Sequence, residues 1–192
     1  MVYLIIGLLL FLGAHSVRIF ADDWRSARIA AMGEGAWKGL YSLVSGVGLV
    51  LIVWGYGLAR EAPVDLWHPP RGLGHLTALL TVPAFVLLAA AYVPGNHLKA
   101  AIGHPMVAGV KLWALAHLLS NGRLADVILF GALLAWAVAD FAAARRRDRA
   151  GRSPRPAATT GRTLVAVVVG LVAWAAFAFH LHASLIGVRP LG

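Results

Sequence analysis

The sequence predicts an all-α fold, a polytopic membrane helix bundle with about six transmembrane helices, and three observations carry that expectation. Of its 192 residues, 60% are hydrophobic and only 13% are charged, with a mean hydropathy of +0.77, far from the balance of a soluble globular chain. Several windows supply the roughly 20 apolar residues that a helix needs to cross a hydrocarbon core of about 30 Å. These windows show no strict apolar/polar alternation, the pattern that a lipid-facing β-barrel would require.

In chain order the windows are 1–20, 40–59, 73–93, 105–121, 124–141 and 163–187. The first lacks the basic start and small-residue cleavage site of a signal peptide and ends on His15 and Arg18, so it is expected to stay as the first helix. Pro105 suits a first helical position, where its missing N–H is no loss, and Asn121-Gly122 suits a left-handed C-cap. The helix between them would be about 24 Å long, short for a lipid-facing span, which predicts a central, shielded position. The whole chain, 1–192, reads as one domain with a basic loop at 142–162 joining the last two helices. Pro154 and Pro156 there suggest a flexible linker. No repeat is evident, and GxxxG-like spacing is absent from most spans.

Charge orients the bundle. With the N-terminus outside, Arg18, Arg25, Arg28, Lys38, Lys99 and the seven arginines from Arg145 to Arg162 fall on the cytoplasmic side. Arg60, Arg71, Arg123 and Arg189 fall outside, and this twelve-to-four split predicts two extracytoplasmic termini in an inner, cytoplasmic membrane. The abundance of alanine, glycine and arginine points to a bacterial, GC-rich source. The net charge of +9 comes mostly from the 142–162 loop, which reads as a topology anchor on anionic headgroups and not as a nucleic-acid surface.

Absences narrow the chemistry. Without cysteine there is no disulfide, thiolate metal site or cysteine nucleophile. There is no Walker loop, HExxH or GxSxG, and Gly33-x-Gly35 and Gly72-x-Gly74 are too short to be dinucleotide fingerprints.

Polar groups inside the spans are therefore the candidate chemistry. The segment HPMVAGVKLWALAHLLSNG, 104–122, holds three of them. His104 and Lys111, seven apart, share a helix face, whereas His117 points away from Lys111 and shares a stripe with Val110 and Trp113. Lys111 should face a cavity, pair with a carboxylate or snorkel. In the first window His15 lies beside Leu8, Phe11 and Leu12. Counting about 1.5 Å per residue puts His15 and His117 within several ångströms of the same depth, so the pair could hold one porphyrin iron from opposite faces. His75, His180 and His182 compete as ligands, although the last two, two residues apart, point to nearly opposite sides. His68 and His97 read as loop residues, and Asp126 and Asp140 as helix-end carboxylates beside Arg123 and Arg145.

His15-Ser16, the run Gly33-Glu34-Gly35 through Lys38-Gly39-Leu40-Tyr41-Ser42, and above all the 104–122 segment resemble the NnrU family. These are small integral membrane proteins associated with nitrite and nitric oxide reductase genes. The resemblance extends to the related 15-cis-zeta-carotene isomerase, a haem b enzyme with histidine ligation. It implies haem b, with His15 and His117 as cofactor-binding metal ligands. Gly103 stands where the family often has arginine, so any contact made by that arginine is expected to be missing.

The resemblance implies a redox-dependent cis-trans isomerase acting on a lipophilic polyene, with His104 and Lys111 as catalytic polar groups and Trp113, Trp136, Trp174 and Phe177 along an apolar pocket. Two alternatives stand beside it. One is a non-enzymatic haem electron carrier or nitric oxide sensor supporting denitrification. The other is a membrane S-adenosylmethionine-dependent methyltransferase, weakened by the short cytoplasmic C-terminal sequence. The expected partners are the lipid bilayer, haem and a lipophilic substrate.

Overall fold

The computed structural model describes residues 1–70, 72–151 and 157–191. Its helices are α1 (Val2–Phe20), α2 (Asp22–Met32), α3 (Glu34–Glu61), α4 (Gly72–Tyr92), α5 (His97–Ile102), α6 (Pro105–Ser120), α7 (Leu124–Gly151) and α8 (Thr160–Ala176). A π-helical turn, Phe177–Leu181, carries α8 into α9 (His182–Ile186). Helices α1, α3, α4 and α7, together with the continuous segment Thr160–Ile186, are long and apolar enough to cross a membrane. The shorter α6 completes the expected set of about six.

Two of the helices lie outside those windows. The short α2 is rich in charge and buries no residue, and α5 has only six residues, so neither leaves a signal on the scale of a membrane span. His97 opens α5 and is not a loop residue. Helix α3 starts at Glu34, ahead of the apolar run from 40. Helix α7 runs to Gly151, so much of the expected 142–162 loop is helix. Alanine and arginine both favour helix, and the charge of the arginines ends the apolar run without ending the helix. Arg71, Arg152, Pro154, Arg155 and Pro156 lie outside the described residues.

The packing order is α3–α1–α7–α6–α4–α8. Helices α1 and α3 run antiparallel in backbone contact. A Cβ on Gly7 would lie 2.6 Å from Ile52 N and one on Gly48 2.7 Å from Phe11 N, while one on Gly55 would strike the backbone at Leu4. Without hydrophobic force between helices in lipid, such close approach maximises dispersion contact. Leu4, Leu8, Ile52, Ala59, Ala125, Leu129 and Phe130 form the buried core where α1, α3 and α7 meet.

Helix α6 is flanked by α4 and α7, which is the shielding its length calls for. Small residues permit the fit: Gly109 faces Ala84 O, and Ala114 and Ala116 are fully buried. Its C-terminus is not left-handed. Asn121 is extended (φ −122°, ψ 119°) and its Nδ2 donates to His117 O at 2.9 Å. Gly122 O accepts from Leu66 N and Trp67 N, and a side chain at 122 would collide with the Trp67 carbonyl.

The two ends of the bundle differ. One gathers Met1, Tyr56, Arg60, Asp126 and Ile186; Arg60 donates to Ile186 O, tying α9 to α3. The other gathers the ends of α1 and α7 with α2 and α5, and it is the arginine-rich end. Buried Asn96 organises part of it, with Nδ2 donating to Ala90 O (2.8 Å) and Val93 O (2.5 Å) and Oδ1 accepting from Lys99 N (2.7 Å).

Candidate functional site

His117 and His15 share a local arrangement. His117 Nδ1 is hydrogen-bonded to Trp113 O at 2.8 Å and His15 Nδ1 to Phe11 O at 2.7 Å, each four residues back. Since a carbonyl only accepts, Nδ1 carries the proton in each ring, and in the neutral form Nε2 keeps the lone pair. That is how a metal-ligating histidine is normally set.

Their surroundings differ. His117 is stacked on Phe130, with ring centroids 4.6 Å apart, and lies 4.9 Å from Trp113, which meets Phe130 edge-on at 5.1 Å. His15 lies 4.2 Å from Phe11, 5.2 Å from Tyr41 of α3 and 5.8 Å from Trp136 of α7. Phe130 and Trp136 are six residues apart on α7, about 9 Å along its axis and roughly 120° around it.

This spacing bears on the haem expectation. One iron bound by both histidines would hold their nitrogens about 4 Å apart, twice a metal–imidazole bond of about 2 Å. Each imidazole fits an iron ligand through its engaged Nδ1 and its aromatic walls, and Phe11, Trp113 and Phe130 from the two surroundings belong to one core cluster of α1, α6 and α7.

Of the other histidines, His182 stands near enough to His117 for the two to interact electrostatically. His182 Nδ1 is hydrogen-bonded to Val188 O at 2.7 Å, and its ring meets Phe177 edge-on. His180 lines a cleft of about 430 Å³ with Phe179, Ser184 and Arg189. His75 sits in the first turn of α4 and His68 in the preceding loop. Among the described residues, no three His, Asp or Glu side chains converge as a metal cluster.

His104 and Lys111 do share a face. Both meet Phe141 of α7: Lys111 Nζ lies 4.5 Å from the ring centroid in a cation–π contact, and His104 meets the ring edge-on at 6.3 Å. His104 Nε2 is 3.0 Å from Asp148 Oδ2, with Arg145 Nη1 4.0 Å from the same oxygen. Gly103, where the resemblance expects arginine, has φ +79°, a left-handed conformation that strains any residue with a Cβ. Arg145 Nη1 lies 3.7 Å from the position of that missing Cβ, so a guanidinium reaches the spot from α7.

The carboxylates have different partners from those expected. Arg123 pairs with Asp65 at 3.5 Å, leaving buried Asp126 to accept from Tyr56 Oη at 2.5 Å. Asp140 lies 3.9 Å from Arg147, not beside Arg145. The four aromatic residues expected along the pocket each have their own neighbours. Trp113 stands by His117 and Trp136 by His15, Trp174 Nε1 donates to Thr81 Oγ1 at 3.0 Å, and Phe177 packs on Phe85. Sequence reasoning missed the Tyr56–Asp126 bond, which links residues 70 apart, and the π-helical turn, which no composition signal marks.

Comparison with known proteins adds one relation. No curated protein and no solved structure matches the chain. The family described as NnrU protein matches residues 3–190, nearly the whole chain, so this chain belongs to the NnrU family.

Proposed function

We propose that this protein binds haem b within the membrane, with His117 as a residue that would hold its iron, and acts as a redox-dependent cis-trans isomerase on a lipophilic polyene. The observation that carries the reading is the imidazole of His117, proton-locked on Trp113 O and stacked on Phe130 inside a helical bundle. Haem would supply a one-electron couple and a coordination position for the substrate double bond. Trp113 and Phe130 hold the His117 ring in place and keep water from it. Toward the arginine-rich end, His104, Lys111 and Asp148 form a polar group suited to a propionate or a polar substrate terminus.

His15 has the same proton arrangement and is the second candidate ligand. We further infer that the arginine-rich end is cytoplasmic in a bacterial inner membrane, which leaves both termini extracytoplasmic.

The test is an oxidised and reduced absorbance spectrum of the full chain in mild detergent, followed by incubation of the reduced protein with a 15-cis polyene. The reading requires a haem b spectrum and conversion to the trans isomer. A haem spectrum without conversion would leave electron transfer or nitric oxide sensing. A protein that stays colourless after haem supplementation would overturn the haem reading and bring S-adenosylmethionine binding forward.

A further inference from the structure

Two buried polar atoms in the described structure have no hydrogen-bond partner, Trp136 Nε1 and Ser45 Oγ. Both belong to the surroundings of His15. Trp136 meets the imidazole directly. Ser45 lies one turn along α3 from Tyr41, which also meets it, and the Ser45 hydroxyl stands beside the Tyr41 hydroxyl outside good hydrogen-bond geometry. The antiparallel register agrees: Phe11 lies against Gly48, so the next turn of α1, at His15, is level with the preceding turn of α3, at Ser45.

An unpaired buried donor costs about 1–3 kcal/mol, and two beside one imidazole call for a common explanation. The imidazole adds an acceptor, because Nδ1 is committed to Phe11 O and Nε2 keeps its lone pair. Phe11, Tyr41 and Trp136 supply aromatic walls. Asp140, one turn beyond Trp136, lies 3.9 Å from Arg147 and near the Tyr41 hydroxyl, so a carboxylate stands at the edge of the niche. The niche therefore offers the Trp136 and Ser45 donors, the Tyr41 hydroxyl beside Ser45, the imidazole acceptor and flat aromatic surfaces, all within a membrane-spanning bundle.

We propose that the His15 niche binds the ring of a lipid-soluble quinone, with Trp136 Nε1–H and Ser45 Oγ–H donating to its carbonyl oxygen. A flat ring suits the aromatic walls, and a carbonyl takes up both donors without introducing charge. In the reduced form the ring hydroxyl donates to His15 Nε2. The site uses a face of α7 different from that of His117 and does not require haem.

The experiment follows the indole N–H resonances of the full-length, 15N-tryptophan-labelled protein in detergent as a decyl-substituted benzoquinone is added, with decylbenzene as the carbonyl-free control. Trp136→Phe identifies the Trp136 signal. The expected result is a saturable shift of that signal with the quinone and none with decylbenzene. Ser45→Ala, which removes one oxygen without repacking, should weaken quinone binding about three- to tenfold. Absence of a saturable shift, an equal shift with decylbenzene, or unchanged affinity in Ser45→Ala would each overturn the proposal. The last of these would leave water as the partner of the serine.

Discussion

The His117 niche is built from aromatic faces contributed by α6 and α7, while the His15 niche combines aromatic faces with unpaired donors from α3 and α7. In both, the imidazole proton is fixed by a carbonyl four residues back, so the local helix treats the two histidines alike. What separates them is their company. A histidine walled by Trp113 and Phe130 offers a lone pair to a soft electrophile such as a metal. One beside Ser45 and Trp136 stands in a hydrogen-bonding pocket. A shared backbone device can thus serve two kinds of chemistry, decided by side chains distant in sequence.

Removing a wall is the strongest way to test this contrast. Phe130→Ala strips the stacking partner of His117 from the buried core and should cost about 3–5 kcal/mol, read as a lower midpoint in detergent unfolding together with reduced haem content. A variant with unchanged haem content would make the aromatic wall irrelevant to the site. Gly48→Leu attacks the other niche by driving a side chain into the Phe11 backbone; overpacking of this kind should cost about 1–3 kcal/mol or more and weaken quinone binding. Retained stability and binding would refute the close α1–α3 contact.

Tyr56→Phe acts near the core that joins α1, α3 and α7. It leaves the buried carboxyl of Asp126 without its phenol donor and should cost about 1–3 kcal/mol by the same unfolding measurement. A neutral result would mean that water replaces the hydroxyl. The smallest effect is expected for Lys111→Met, which keeps the aliphatic stem and removes a cation–π contact of about 0.5–2 kcal/mol. A much larger loss would indicate that the ammonium has a stronger partner than Phe141.

Much of the architecture was legible because lipid imposes a coarse rule: a span needs length and apolar composition, and α1, α4 and α6 follow the expected windows closely. The Pro105 start was also readable, since proline has a local geometric preference that needs no partner. Helix α2 and the arginine-rich extension of α7 were hidden, because helices outside hydrocarbon need not be hydrophobic. The left-handed cap expected at Asn121-Gly122 gave way to a tertiary contact, as the loop at 65–67 presses on Gly122. The candidate histidines could be named from their positions, and so could the shared face of His104 and Lys111. Their neighbours could not, because which face of α7 meets α1 and which meets α6 depends on the order of packing. The same holds for Asp126, whose partner lies on α3 and not at the adjacent Arg123.

The most direct measurement is the pyridine haemochrome of the haem-supplemented full chain beside His117→Ala and His15→Ala. The two-niche account predicts a haem b spectrum in the wild type and in His15→Ala, and its loss in His117→Ala. Haem retained in His117→Ala would contradict the iron assignment, and haem lost in both variants would show one iron shared by the two histidines.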